Sequence, residues 1–190
     1  LRWLTVKAEK YGVNYREIQG DEPDEAPLPH HTTVTDDFNR ADEGLEASAD
    51  WTQLNNGCAI VSNRVVSDAT HGIYRNENDL SGDDMFVQID VNGGGDTTGD
   101  RIFGALARSD TNNWASHNCY WGRLKLNDDT TEIFKRVGGS NTSIDSDAGT
   151  YGDSTTYELK LTADGTSISL EIDSSTKSSA TDSAVSGNLR

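Results

Sequence analysis

The chain has 190 residues, 33% of them apolar and 25% charged, with 32 acidic against 16 basic residues and a formal net charge of −16. That length accommodates one ordinary domain plus an appendage rather than two large domains. A field of that sign repels phosphate backbones and anionic bilayers, so neither nucleic acid nor a membrane surface is an expected partner.

No apolar run approaches the roughly 20 residues that a bilayer-crossing helix requires. Residues 1–19 combine Trp3, Leu4, Val6, Tyr11 and Tyr15 with Arg2, Lys7, Lys10 and Arg16, which makes a basic, aromatic arm. So short a piece cannot bury its own aromatics. It is expected to dock on the rest of the chain or on a neighbouring subunit, and a helical turn or two fits only within 4–18. Residues 20–35 hold all three prolines among acidic residues and read as an extended, self-repelling linker. The adjacent His30 and His31 lie in that linker without a rigid second pair of metal ligands.

Asp36-Asp37-Phe38-Asn39-Arg40-Ala41-Asp42, followed by Trp51, opens a domain over 36–190 in which the apolar period becomes two. Met85, Val87, Ile89 and Val91 alternate with Phe86, Gln88 and Asp90 as a half-buried strand. The Gly-rich run 92–100 is a loop. Residues 101–109, apolar on both faces, suit a central strand. Asn118 to Leu126 alternates Tyr120, Gly122 and Leu124 against Cys119, Trp121 and Arg123, so Tyr120 and Trp121 point to opposite sides. Ile133, Phe134 and Val137 form the next strand. Tyr157, Leu159 and Leu161 then lead through Asp164-Gly165, a hairpin signal, to Ile168, Leu170 and Ile172. Short alternating strands joined by turns predict antiparallel sheets packed face to face. Such a sandwich of about 150 residues removes roughly 70% of its unfolded surface from water and folds without staples.

Three segments resemble the concanavalin A-like (laminin-G-like) jelly-roll modules found in secreted bacterial proteins and bacteriophage virion proteins. They are Asp36-Asp37-Phe38-Asn39-Arg40-Ala41 with Trp51 and Ala59-Ile60-Val61-Ser62-Asn63-Arg64; Tyr120-Trp121-Gly122-Arg123-Leu124 with Phe134-Lys135-Arg136-Val137-Gly138-Gly139; and Thr156-Tyr157-Glu158-Leu159-Lys160-Leu161. The resemblance spans about 37–190 and implies an all-β jelly-roll sandwich. It says less about activity, because that fold hosts lectins, hydrolases and inert structural modules alike. The family closes on a Gly-rich strand that is expected where this chain stops, at Gly187-Asn188-Leu189-Arg190. The resemblance therefore implies a segment of a longer polypeptide.

The chemistry-bearing residues are few. Cys58 and Cys119 leave two readings open, a pair of buried thiols or one bridge, and a bridge closing about 60 residues would stabilise by roughly 4 kcal/mol. No Gly-x-Ser-x-Gly accompanies His71 and His117. Glu171-Ile172-Asp173-Ser174-Ser175-Thr176 approaches the Glu-x-Asp-x-x-Glu of jelly-roll glucanases, but ends on Thr. Trp114, His117, Tyr120 and Trp121, with Asn113 and Asn118, are the candidates for a sugar-binding surface. Asp96 and Asp100 in the Gly-rich loop are candidate calcium ligands, with Asp36 and Asp37 behind them. No other cofactor is expected. Asn141-Thr142-Ser143 matches a glycosylation acceptor, a tripeptide common by chance.

From these features the leading expectation is a non-enzymatic structural module of a phage virion: a head-decoration, fibre or tail-associated protein. Residues 1–19 would anchor it to other virion subunits or to a second copy, placing it in the virion. The alternative is a carbohydrate-binding, lectin-like module of a secreted or virion protein, and a glycoside hydrolase is third.

Overall fold

Alternation does the work that the sequence predicts. In the computed structural model, which describes residues 6–9, 33–67, 72–76, 84–95, 101–110 and 113–186, antiparallel strands account for nearly all regular structure. In chain order they are β1 Val6–Glu9, β2 Thr33–Asp36, β3 Glu43–Gly44, β4 Trp51–Asn55, β5 Cys58–Ile60, β6 Val65–Ser67, β7 Ile73–Asn76 and β8 Met85–Asn92. There follow β9 Ile102–Ala107, β10 Cys119–Lys125, β11 Thr130–Val137, β12 Ser140–Ala148, β13 Thr156–Asp164, β14 Ser167–Ile172 and β15 Ser175–Thr181. The larger sheet runs β15-β14-β13-β8-β1-β2, and the facing sheet runs β12-β11-β10-β9. The pair forms an antiparallel β-sandwich.

Every second side chain of β8, β13 and β14 enters one interior. Met85, Ile89, Val91, Leu159, Leu161, Ile168, Leu170 and Ile172 are all buried there. From the facing sheet come Ala105, Ala107, Tyr120, Leu124 and Ile133. Gly122 is the point of closest approach: a Cβ there would stand 2.9 Å from both Leu161 Cδ1 and Leu170 Cδ1, so only glycine admits those two side chains. The Asp164-Gly165 hairpin forms as expected, with Gly165 at φ +54°. A second tight turn, Asp173-Ser174, has both residues left-handed (φ 50° and 62°) and joins β14 to β15.

Two expectations change. β9 was expected to be central because both its faces are apolar, yet it ends the four-stranded sheet. Its outward apolar residue Leu106 has a neighbour all the same, standing opposite Trp121 in the β9–β10 register. Within the arm, Val6–Glu9 is extended rather than helical. It pairs with β8 (Val6 opposite Ile89) and with β2 (Val6 opposite Asp36), joining the sandwich of its own chain. Trp3, Leu4, Tyr11 and Tyr15 lie outside the described residues, as do His30, His31 and His71.

The opening motif proves to be a staple for a second, smaller core of Phe38, Leu45, Trp51, Cys58 and Ile60. Asp36 accepts from Trp51 Nε1 at 2.7 Å, from the Phe38 amide at 2.8 Å and from Arg40 Nη1 at 2.9 Å. Phe38 and Trp51 then meet with ring centroids 5.6 Å apart.

Cys58 belongs to this small core and Cys119 starts β10, and no disulfide joins them. Burial pushes the Cys119 thiol up to about 12, so it stays protonated at neutral pH. Ellman's reagent is expected to find Cys119 unreactive in the native protein and to titrate both cysteines after denaturation. Rapid native labelling at Cys119 would contradict that burial.

Candidate functional site

The strand period divides the two sheets' outer surfaces into chemically different faces. The outer face of the larger sheet is polar and charged. Gln88 donates to Glu158 at 2.7 Å, and Lys160 lies 3.7 Å from Glu171 and 4.6 Å from the centroid of the Phe86 ring. Such a surface is ordinary for a chain of net charge −16. The two carboxylates with a hydrolase-like spacing sit here in structural roles. Asp173 Oδ1 accepts from the Glu158 amide at 2.9 Å beside the β14–β15 turn, and Glu171 faces Lys160.

The outer face of the four-stranded sheet is aromatic and guanidinium-rich. Trp121 on β10 stands opposite Phe134 on β11, with ring centroids 5.6 Å apart. Arg123, two residues along β10 on the same side, places its Cζ 4.6 Å from the Phe134 centroid and 5.5 Å from that of Trp121. Its Nε donates to Glu132 Oε2 at 2.7 Å, and its Nη2 reaches the same oxygen. All four side chains are only half-buried. Gly104 of β9, opposite Arg123, makes room for the indole: a Cβ there would overlap Trp121 Nε1 and lie 3.0 Å from Cδ1.

One end of this face is walled by the segment before β10. Asn113 caps a short 3-10 turn, Trp114–Ser116, by accepting from the Ala115 amide at 3.1 Å. Arg136 of β11 donates through Nη2 to the Trp114 carbonyl at 2.8 Å and stacks its guanidinium 3.9 Å from the Trp114 centroid. Its Nη1 donates to Asn141 on β12 at 2.8 Å. The Gly138 amide donates to Asn118 Oδ1 at 2.7 Å and the Gly139 amide to the His117 carbonyl at 3.1 Å, which pins the segment to the β11–β12 turn.

Of the four residues that the sequence offers for a sugar surface, the structure brings Trp114 and Trp121 to this face and takes the other two inside. Tyr120 is 0% exposed, as its inward register dictates. Its hydroxyl donates to Asp182 Oδ1 at 2.8 Å and accepts from the Val185 amide at 3.2 Å. His117 is also 0% exposed, with its Nε2 2.9 Å from Ser109 Oγ. Both members of that Ser–His pair are interior, and it ties the end of β9 to the approach of β10. Phe134, Arg123 and Glu132 were not among the sequence candidates. Arg123 shares Trp121's side of β10 by strand period alone; for Phe134 and Glu132 the signal was the outward register of β11, legible only once its pairing with β10 is known.

Asp182 anchors the residues after β15. Burial alone would raise its carboxyl, but hydrogen bonds from Lys135, the Ala184 amide and Tyr120 outweigh that and hold it below the ordinary carboxylate range. A depressed folded value contributes stability that is fully present above the unfolded value of about 4 and disappears as pH falls through the folded value. The melting temperature of Asp182→Asn is therefore expected to lie below the parent's at pH 7. The gap should close on acidification below about pH 4, and a constant gap from pH 7 to pH 2 would remove the carboxylate from the explanation.

Asp96 and Asp100 lie outside the described residues, and among the described residues no group of three or more His, Cys, Asp or Glu side chains is placed to hold a metal. No helix among those residues is long and apolar enough to cross a membrane.

The fold thus defines the chain as an antiparallel β-sandwich with one polar outer face and one aromatic outer face. Among solved structures it is similar to the carbohydrate-binding module CBM66 from Bacillus subtilis, with a TM-score of 0.62 and 21% sequence identity over 73% of this chain and 84% of that one. An identity that low establishes likeness of fold. No protein-family model matches the sequence, and no curated protein does.

Proposed function

We propose that the protein is a carbohydrate-binding module whose site is the outer face of the four-stranded sheet. The observation that carries this reading is the Trp121–Phe134 pair with Arg123 and Glu132 beside it, half-buried on a sheet surface. The apolar faces of a sugar ring stack on aromatic side chains while its hydroxyls need donors and acceptors at the rim, and both sit together here. Likeness to a carbohydrate-binding module supports the same reading. A secreted or surface-displayed location follows from such a ligand. The virion reading draws on the sequence resemblance, the arm–linker–sandwich layout and the lack of a catalytic constellation, and no feature of the described fold favours it over glycan binding.

Affinity electrophoresis through gels containing individual polysaccharides tests the proposal. At least one polysaccharide should retard the parent protein and Glu171→Gln, a change on the opposite outer face, while Trp121→Ala migrates freely. Retardation by none of a broad panel, or equal retardation of Trp121→Ala, would refute it.

A further inference from the structure

The Arg123–Glu132 ion pair is arranged to do more than hold a strand register. Both Nε and Nη2 of Arg123 converge on a single carboxylate oxygen, Glu132 Oε2. Among the described residues, no protein group meets Glu132 Oε1 or Arg123 Nη1, and neither atom is sealed from solvent. The side chains of the pair are 20% and 22% exposed. A carboxylate oxygen wanting donors and guanidinium N–H groups wanting acceptors therefore stand side by side, against the Trp121 and Phe134 rings.

Adjacent hydroxyls of a sugar satisfy both at once. One donates to the carboxylate and its neighbour accepts from the guanidinium, each as a charge-assisted bond. The charges on this face argue for an uncharged ligand. Arg123 is neutralised by Glu132, Lys125 is paired with Asp128, and Arg136 is held under Trp114 at 7% exposure. The one charge left over, that of Arg136, is turned to the Trp114 carbonyl and Asn141 and away from a ligand, and the chain's own charge of −16 repels a uronate or sulfate.

We infer that Arg123 and Glu132 clamp two neighbouring hydroxyls, so that the ligand is a neutral glycan carrying an unsubstituted vicinal diol; this rests on the carbohydrate-binding reading above. The test compares neutral mannan, galactan and glucan with acidic alginate, pectate and carrageenan, by affinity electrophoresis and then by calorimetry on the best ligand. That ligand is measured again after periodate cleavage of its vicinal diols and borohydride reduction. Neutral polysaccharides should bind and acidic ones should not. Periodate treatment should abolish binding, and Glu132→Gln should weaken it by about 10-fold or more, as loss of a charge-assisted bond implies. Arg123→Lys, which keeps the charge but loses the planar fork, should weaken it similarly. Tighter binding of acidic polysaccharides, or binding that survives periodate or is indifferent to Glu132→Gln, would overturn the diol clamp while leaving glycan binding intact. Binding of none would overturn both.

Discussion

Trp121→Ala is expected to weaken polysaccharide binding by about 30-fold or more, the roughly 2 kcal/mol that separates a binding hot spot from its neighbours. The indole provides a large flat surface on the outer face, and it is positioned before any ligand arrives. Gly104 leaves room beneath its pyrrole edge, Phe134 stands across from it, and Arg123 braces both rings. Because the ring is half-buried against the sheet and not packed in the interior, its removal should cost only about 1–2 kcal/mol of stability. That is a drop of several degrees in melting temperature for a chain of this size, at ~2–4 °C per kcal/mol. The two effects are read separately, by calorimetric titration with the retained polysaccharide and by thermal melting followed in the far ultraviolet. Unchanged affinity would remove Trp121 from the site. A collapse of the melting transition would show the indole to be part of the fold.

The residue immediately before it should behave in the opposite way. Tyr120→Ala is expected to destabilise the protein by about 3–5 kcal/mol, the range for emptying an aromatic site in a packed interior. Its ring lies wholly inside the sandwich with the Arg108 guanidinium 5.7 Å from its centroid, and its hydroxyl bridges Asp182 and the Val185 amide. Truncation leaves a cavity and strips two polar partners that hold the segment after β15. Tyr120→Phe isolates the second effect and should cost about 1–3 kcal/mol, the penalty for stranding buried polar groups. Urea unfolding of both variants, with glycan affinity measured on the folded fraction, separates this from a binding role. A Tyr120→Phe variant that melts like the parent but fails to bind sugar would contradict the placement.

The contrast between these neighbours shows where legibility in the sequence ends. Alternation in Cys119–Lys125 states that Tyr120 and Trp121 face opposite ways, yet it does not say which way is inward, because each face carries aromatic or apolar groups. Only the packing of Gly122 against Leu161 and Leu170 decides that. Once it is decided, Tyr120 and Leu124 are committed to the interior and Trp121 and Arg123 to the surface. His117, which the sequence offered for the sugar surface, is likewise taken inside, beside Ser109.

What the chain determines by itself is therefore its class and its most regularly alternating strands: two facing antiparallel sheets, the residues of those strands that alternate into the interior, and the tight hairpin at Asp164-Gly165. These follow from local period and turn chemistry, which need no partner to be read. The tertiary structure alone decided which strands are neighbours. It seated β1 between β8 and β2, moved β9 to the end of its sheet, and brought Phe134 and Glu132 beside Trp121 and Arg123. Pairing is a contest among distant segments for the same hydrogen bonds and the same buried area, and a site assembled across strands exists only after that contest is settled.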